Sequence, residues 1–201
     1  MGIAERKLRQ KEEMKASILA AAWKLVQQDG WTSLSIRKIA DVIEYSAPVI
    51  YYHFENKEAI LLEFTRQGFQ LLTKKVSEAR DGTTDVREQL MQMARAYRDF
   101  AFTHSEYYQL MFGLGIPTCE MVNSIQELKN FSDTVIGVIQ SAIAQSHAPQ
   151  ADYWLKYHTY WSILHGLISI QMISDQAAAD PRNSLILQDA MQGFISTLHL
   201  K

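Results

Sequence analysis

Apolar residues recur at three- and four-residue spacing along most of this 201-residue chain, and strict alternation of apolar and polar residues is scarce. The first spacing places apolar side chains on one face of a helix, whereas alternation would indicate strands. The chain has only 9 glycines and 4 prolines, so residues that interrupt helices are few. The pattern therefore predicts an all-α protein of about nine helices.

Short polar or glycine-containing segments separate the predicted helices. The approximate helix bounds are 9–29, 36–43, 47–54, 57–80, 85–103, 105–112, 118–145, 150–178 and 182–198. Residues 1–9 are polar and basic, and we expect a frayed tail there. The helix over 57–80 is apolar on one face, so it can join the N-terminal part of the chain to the rest.

The segment from Ser35 to Lys57 predicts two short helices joined by a tight turn and followed by the start of a third. Ser35 and Ser46 are good N-caps for the first two helices. Pro48 falls in the first turn of the second helix, where its missing N–H costs nothing. In that helix we expect Val49 and Tyr52 to face inward. The residues expected to face outward are Ala47, Ile50, Tyr51 and His53.

Small, apolar and aromatic residues on the outer face of a short helix suit the major groove of DNA. Alanine, proline and valine can contact thymine methyl groups, while tyrosine, histidine and lysine can reach phosphates. An alternative is a pair of helices buried in an α-helical domain. For Arg37, a solvated surface charge is likewise an alternative to a base contact.

Three blocks of this segment resemble the helix-turn-helix signature of the TetR family of transcriptional regulators. They are Ile39-Ala40, Tyr51-Tyr52-His53-Phe54 and Asn56-Lys57-Glu58-Ala59-Ile60-Leu61, and the resemblance extends over about residues 10 to 65. Members of the family usually have Gly-Val in the turn, where this chain has Glu44-Tyr45. A left-handed Glu44 would cost on the order of 1 kcal/mol.

The resemblance implies a DNA-binding domain over residues 1–60 and a ligand-binding and dimerisation domain over 61–201. It also implies a dimeric regulator, most plainly a repressor, that binds a palindromic operator and is released by a small-molecule effector. The residues expected to contact double-stranded DNA are Ser35, Arg37, Ser46, Ala47, Pro48, Val49, Ile50, Tyr51, His53 and Lys57.

Charge is distributed unevenly along a chain whose formal net charge is −2. Residues 1–40 contain eight Lys or Arg and four Asp or Glu, whereas residues 41–201 contain 12 basic and 18 acidic side chains. The positive end is the one that would approach phosphate.

The helix predicted over 150–178 contains 14 residues, from Tyr160 to Ile173, without a single charged side chain. This run is too short to span a bilayer, and a helix that is apolar on all sides is buried on all sides. We therefore expect a second chain to cover it, as in the four-helix interface usual in the family. The expected interface residues are Leu164, Ile168, Met172, Leu187, Met191, Phe194 and Leu198.

Soft and aromatic residues in the C-terminal part suit a pocket for a small apolar or amphipathic ligand. The expected ligand-binding residues are Met93, Tyr97, Phe100, Tyr107, Tyr108, Met111, Phe112, Met121, Trp161 and His165. A plain hydrophobic core is the alternative for each of them. Trp161, His165 and Gly166 also resemble a Trp-His-Gly pattern found in one group of C-terminal domains in this family.

Other classes of function find little support in the sequence. Cys119 is the only cysteine, which fits a reducing cytoplasm, and no signal peptide is recognisable. No catalytic constellation, cofactor motif or metal-ligand set stands at useful spacing; His158 and His165 lack further ligands. A helical ligand-binding or interaction module with a vestigial helix-turn-helix is the remaining alternative.

Overall fold

The computed structural model describes residues 2–113, 125–173 and 180–200, and these ranges contain nine α-helices and no strand. The helices are α1 (Ile3–Asp29), α2 (Ile36–Ile43), α3 (Ala47–His53), α4 (Lys57–Asp81), α5 (Val86–Thr103), α6 (Ser105–Phe112), α7 (Gln126–Ala144), α8 (Tyr153–Met172) and α9 (Arg182–Ser196). The predicted all-α fold class is confirmed.

The described residues form two compact units. The first comprises the chain up to Thr65 together with 106–113, and the second comprises 66–105, 125–173 and 180–200. The sequence predicted a single domain boundary near residue 60. In the structure α6 belongs to the N-terminal unit, although it follows that boundary in the chain. Helix α4 therefore contributes residues to both units.

In the first unit, α1 packs against α2 and α3 around a core of aliphatic side chains. Ile18, Ile39, Ile50 and Ile60 are fully buried there. Helix α1 begins at Ile3, so the segment expected to fray is helical. Its first turn is held by the backbone N–H of Gly2, which donates to the Glu5 carboxylate at 3.0 Å.

An aromatic cluster explains why α6 belongs to the first unit. The ring of Tyr107 in α6 stacks on Trp23 of α1 with centroids 4.5 Å apart. The indole N–H of Trp31 donates to the backbone oxygen of Glu106 at 2.7 Å. Leu110 is buried in the same core as Ile18 and Ile39. Contacts between residues so distant in sequence cannot be inferred from local periodicity.

Glu44 ends α2 in the left-handed conformation, with φ 59° and ψ 38°. Its backbone N–H donates to the carbonyl oxygen of Asp41 at 3.4 Å, and Tyr45 N–H donates to that of Ala40 at 3.0 Å. These bonds satisfy carbonyls left over at the helix end. The turn between α2 and α3 therefore forms, with a residue other than glycine in a strained position.

We expect Glu44→Gly to raise the free energy of unfolding by roughly 0.5–1 kcal/mol. Glycine removes the left-handed strain of about 1–2 kcal/mol but increases the entropy of the unfolded chain, which offsets part of the gain. Chemical denaturation measures the change. Glu44→Ala is the matched control, because it removes the same carboxylate but keeps Cβ. An equal gain in both variants would assign the effect to charge instead of backbone strain.

The second unit packs α5 against α7, α8 and α9, and α8 lies between α7 and α9. Six of the side chains expected at a dimer interface are buried in this core of the single chain. They are Leu164, Ile168, Leu187, Met191, Phe194 and Leu198; the seventh, Met172, is half-buried. This burial argues against those six as interface residues, because a side chain enclosed by its own chain has little surface left for a second one.

Candidate nucleic-acid interface and ligand cavity

The orientation of α3 differs from the one expected from the sequence. Ile50, expected to face outward, is fully buried among Ile39 and Ile60. Tyr52, expected to face inward, is 75% exposed, and Tyr51 is 53% exposed. Ile50 is therefore a core residue, and Tyr52 joins the candidate interface in its place.

The physical reason for this error is the length of α3. The helix has seven residues, fewer than two full turns, so its apolar positions do not define one face. The core of the unit needs an aliphatic side chain, and Ile50 supplies it. The two tyrosines keep their hydroxyl groups in water, as amphipathic rings commonly do.

The other expected DNA-binding residues lie on or near the surface of the first unit. Arg37, Ser46, Pro48 and Tyr51 are exposed, and Ser35, Ala47, Val49, His53 and Lys57 are half-buried. Ser35 caps α2, since its hydroxyl oxygen accepts from the Lys38 N–H at 3.2 Å. The predicted N-cap bond at Ser46 is absent among the described contacts.

Lys57 is the first residue of α4, and Asn56 caps that helix by accepting from the Ala59 N–H at 2.8 Å. A helix N-terminus carries a partial positive charge, which the lysine reinforces. The start of α4 therefore directly follows the exposed end of α3 and provides a cationic flank for it.

A basic flank on the other side of α3 was not among the predicted contacts. The first turns of α1 and the outer face of α3 form an open groove lined by Lys7, Leu8, Gln10, Lys11, Met14, Val49, Tyr52 and His53. The ammonium group of Lys11 stands 5.9 Å from the centre of the Tyr52 ring, and that of Lys15 stands 5.5 Å from the Phe54 ring. Lysines at 7, 11 and 15 are the sequence signal for this flank, because four-residue spacing places them on one helix face.

His53 lies in this groove next to the ring of Tyr52, with centroids 5.1 Å apart. Burial lowers the pKa of its imidazole, the charges of Lys11 and Lys15 lower it further, and Glu12 opposes them. The Nδ1 atom is buried without a hydrogen-bond partner. In the absence of an anion, His53 is thus held toward its neutral form.

We expect operator affinity to increase as pH falls through about 6.5, the ordinary pKa of histidine. Because the pKa of His53 is lowered in the folded chain, folding releases protons from this group. Its contribution to folding stability is therefore present above about pH 6.5 and is lost as the pH falls below that value. A bound phosphate has the opposite effect, since its charge favours the imidazolium form. We therefore expect DNA binding to take up a proton.

Fluorescence anisotropy titrations from about pH 5.5 to 8.5 measure this linkage. His53→Gln should remove the pH dependence while binding at alkaline pH is kept. His158→Gln, which changes an exposed histidine of α8, is the control and should behave as the parent chain does. An identical pH dependence in the His53→Gln variant would contradict the assignment.

The second unit contains a small apolar cavity with a volume of about 10 Å³, about the space that one water molecule needs. It is lined by Val76, Met93, Tyr97, Phe131, Val135, Tyr157, Tyr160, Trp161 and Leu164. Three of the expected ligand-binding residues, Met93, Tyr97 and Trp161, are among them. The periodicity of α4 and α7 marks Val76, Phe131 and Val135 as core residues, whereas the apolar residues of α8 define no single face. No sequence signal separates a cavity wall from a packed core.

The remaining expected ligand-binding residues are distributed elsewhere. Phe100 is buried in the second unit but does not line the cavity, and His165 is half-buried, with its ring 6.5 Å from that of Trp161. Burial lowers the pKa of His165. Tyr107, Tyr108, Met111 and Phe112 belong to α6 in the first unit, and Met121 lies outside the described residues.

None of the helices that the structure describes combines the length and apolar character needed to cross a bilayer. No group of three or more potential metal ligands occurs among the same residues.

Comparison with known proteins adds two family matches. Residues 18–64 match the model described as "Bacterial regulatory proteins, tetR family". Residues 90–188 match the model described as "Tetracyclin repressor-like, C-terminal domain". Together the two matches cover well over half of the chain and fall on the two regions in which the sequence predicted DNA-binding and ligand-binding domains.

Individual relatives are more distant. The chain is 30% identical over 102 residues to the HTH-type transcriptional activator FasR of Mycolicibacterium smegmatis, which is 51% of this chain and 47% of that protein. It is 21% identical over 139 residues to the HTH-type transcriptional repressor NicS of Pseudomonas putida, which is 69% of this chain and 66% of that protein. The chain thus spans about half to two thirds of the length of these curated relatives.

Solved structures share the fold. The transcriptional regulator FadR of Bacillus subtilis, in complex with stearoyl-CoA, aligns with a TM-score of 0.72 over 90% of this chain and 98% of that chain, at 16% identity. An all-helical fold with an N-terminal helix-turn-helix, the two family matches and these relatives agree with one another. The chain belongs to the tetR family of bacterial regulatory proteins.

Proposed function

We propose that this protein is a dimeric transcriptional regulator that binds an operator through α3 and is released from it by a small-molecule effector. The observation that carries the proposal is the exposed face of α3, with Tyr51 and Tyr52 in solvent between the lysines of α1 and Lys57 of α4. A patch of this kind suits the major groove, with its cationic flanks on phosphates.

Residues of α2, α3 and α4 would contact different groups of the DNA. Pro48 and Val49 contact thymine methyl groups, and Tyr51, Tyr52 and Lys57 contact phosphates. Arg37, exposed at the start of α2, reaches a guanine edge, because its bidentate fork matches the two acceptors there. Ser35 positions α2 through its cap and also contacts phosphate.

A second copy of the chain would cover the exposed apolar side chains at the end of α8 and the start of α9. Ile170 is 69% exposed, Ile173 is 85% exposed and Leu185 is 64% exposed. Exposed apolar side chains are typical of a protein interface when they form one patch. We propose a two-fold dimer through this patch, with Met172 at its edge, which requires a palindromic operator.

The effector would bind at the apolar cavity of the second unit, which would widen to admit it, and act by population shift. A ligand that binds more tightly when the two copies of α3 are misplaced lowers operator affinity by that difference in binding free energy. Helix α4 would carry the coupling, since its residues belong to both units. Membership of the Trp-His-Gly group of C-terminal domains stays a prediction.

We propose repression as the direction of regulation, in the cytoplasm. A bound dimer can exclude RNA polymerase from an overlapping promoter without contacting it. Activation requires a favourable contact between the regulator and the polymerase. The relatives include a protein named as an activator and another named as a repressor. A promoter–reporter assay with and without the protein separates the two directions.

Selection of bound duplexes from a random library tests the proposal. An enriched palindrome bound by a dimer is the expected result. Its occurrence in the source genome would then identify the regulated genes. The absence of any enriched sequence, with the protein folded and dimeric, would overturn the proposal. The helix-turn-helix would then have only a structural role.

We expect Lys57→Ala to weaken binding to all duplexes alike and to reduce the slope of log affinity against log salt by roughly one. The reason is that a phosphate contact releases a counterion without reading sequence. Lys74→Ala, on the same helix but in the second unit, is the matched control. An unchanged slope in Lys57→Ala would exclude this phosphate contact.

A further inference from the structure

A surface cleft between α5 and α9 lies outside the two sites described above. The two helices pack against each other within the second unit, and the cleft between them has a volume of about 200 Å³. This is less than the roughly 300–1,000 Å³ typical of pockets for drug-sized ligands. It is several times the roughly 30 Å³ that one water molecule occupies in the liquid. The residues that line the cleft are Arg95, Arg98, Asp99, Ser184, Leu187 and Gln188.

Two arginines of α5 contribute to this cleft. Arg95 and Arg98 are three residues apart, so helix geometry places them on the same side of α5. Arg95 is exposed and makes no hydrogen bond or ion pair with any residue that the structure describes. Asp99 is the one acidic residue among the six that line the cleft. Two guanidinium groups and one carboxylate give this wall a formal charge of +1.

Arg98 is held in place, but its charge is poorly compensated. Its side chain is only 20% exposed, and its guanidinium carbon lies 5.3 Å from the centre of the Phe102 ring. The ion pair with Asp99 joins Nη1 and Oδ1 at 3.7 Å, which is longer than a hydrogen bond. The Nε atom is buried without a hydrogen-bond partner among the described residues. An enclosed donor of this kind is uncommon, and an anion in the cleft would compensate the charge of its guanidinium group.

The α9 side of the cleft adds an amide. Gln188 is exposed and forms no hydrogen bond with any residue in the described ranges, so its side-chain N–H groups are available to a ligand. The Ser184 hydroxyl is engaged, since it donates to the backbone oxygen of Pro181 at 2.8 Å. Leu187 is buried and provides the apolar part of the wall. Donors from α5 and α9 therefore border the same small volume.

We infer that this cleft binds the phosphate group of a small molecule. Arginine suits bidentate recognition of phosphate, and the contact of Arg98 with Phe102 leaves its side chain less conformational freedom to lose on binding. A phosphate monoester carries a charge of about −1.5 to −2 at pH 7 and has three acceptor oxygens. That charge balances the two guanidinium groups, and the three oxygens match both arginine forks and the Gln188 amide. A carboxylate has only two oxygens and would leave one of these donor groups unused.

Phosphate binding at this cleft is independent of the proposed DNA contact. All six residues that line the cleft belong to the second unit. The Asp99 side chain is 68% exposed, so its carboxylate can turn toward water when an anion enters. A bound phosphate links α5 to α9 and stabilises the second unit, whatever the direction of regulation.

Isothermal titration calorimetry of the full chain with inorganic phosphate tests this site. The titration is made at neutral pH and constant ionic strength, with sodium chloride as the balancing salt, because screening alters weak ionic binding. We expect a Kd of about 1 mM or tighter. Acetate should bind at least about threefold more weakly, since it has less charge and fewer oxygens. A Kd for phosphate weaker than about 1 mM, or acetate binding as tight as that of phosphate, would overturn the inference.

Variants of the two arginines test the location of the site. Arg95→Gln should weaken phosphate binding about fivefold and Arg98→Gln at least about tenfold, because an enclosed guanidinium group contributes more than an exposed one. Arg87→Gln removes the same charge from an exposed position of α5 outside the cleft, and its Kd should equal that of the parent chain. If Arg98→Gln does not fold, Arg98→Lys keeps the charge without the fork and should weaken binding at least about threefold. Equal phosphate binding by Arg95→Gln and Arg87→Gln would exclude this cleft.

The acid in the wall provides a test in the opposite direction. Asp99→Asn removes a negative charge from the cleft and should tighten phosphate binding roughly threefold. Glu88→Gln removes the same charge from an exposed position of α5 outside the cleft, and its Kd should stay unchanged. No gain in affinity in the Asp99→Asn variant would place the bound phosphate outside the cleft.

The same calorimetric titration distinguishes two sources of the phosphate group. Inorganic phosphate and glycerol 3-phosphate share this group, and the latter adds an organic substituent that Leu187 can contact. Binding of glycerol 3-phosphate at least about tenfold tighter than that of inorganic phosphate would identify a phosphorylated metabolite as the ligand. A smaller difference would identify inorganic phosphate itself. Failure of both compounds to bind the folded chain would overturn the inference.

Discussion

Val49→Asp is expected to lower affinity for the selected operator by at least about 100-fold. Val49 lines the groove between α1 and α3, and its replacement removes an apolar base contact worth roughly 1–3 kcal/mol. The new carboxylate also repels the DNA phosphates. It can pair with Lys11 or His53, which are then less available to contact phosphate. Because Val49 is only half-buried, far-UV helicity and dimer mass should be unchanged.

Anisotropy titration of the operator measures this decrease in affinity. Leu155→Asp is the matched control, since it introduces the same charge at an exposed apolar position of α8 in the second unit. Retention of operator affinity by the Val49→Asp variant would show that α3 is not the recognition helix.

The second large effect is expected from charge placed on the apolar patch of α8 and α9. Ile170→Glu combined with Leu185→Glu should convert the dimer into folded monomers of 23.0 kDa, because four carboxylates would meet across the two-fold axis. A monomer contacts one half-site only, so operator affinity should fall by at least about 100-fold as well. Light scattering gives the mass.

Two further double variants serve as controls for this test. Trp154→Glu with Leu155→Glu changes apolar residues that are 52% and 62% exposed at the opposite end of α8, and this variant should remain dimeric. Leu164→Glu with Phe194→Glu places carboxylates in the core of a single chain and should unfold it instead of dissociating it. A dimer that survives Ile170→Glu with Leu185→Glu would show that another surface forms the interface.

Much of this fold follows from local pattern. Helical spacing of apolar residues, together with the serine cap of α2 and Pro48 in α3, indicates where helices lie and which class of protein they form. The left-handed conformation of Glu44 could also be anticipated, because the turn between α2 and α3 requires it whatever residue stands there. These features depend on residues close together in sequence.

The features that the sequence did not predict depend on tertiary packing. The side of α3 that faces the core is determined by the packing of Ile50 among residues of other helices. The pattern of seven residues alone does not define that side. The return of α6 to the first unit depends on contacts of Tyr107 and Glu106 with tryptophans more than seventy residues earlier.

The dimer face illustrates the same limit. The uncharged run from Tyr160 to Ile173 predicts that all sides of this part of α8 are covered, but it does not indicate which side its own chain covers. Leu164 and Ile168 face the core of the single chain, whereas Ile170 and Ile173 remain exposed. Only the packing of α8 against α5, α7 and α9 separates the two sets.

The most direct test of sequence-specific recognition by α3 compares the selected palindrome with a scrambled duplex of the same length and composition, by anisotropy between about 50 and 200 mM salt. We predict that the palindrome binds at least about 10³-fold more tightly and that both affinities fall linearly on a log–log scale. Equal affinities for the two duplexes, or affinities that do not change with salt, would contradict a sequence-specific DNA interface on α3.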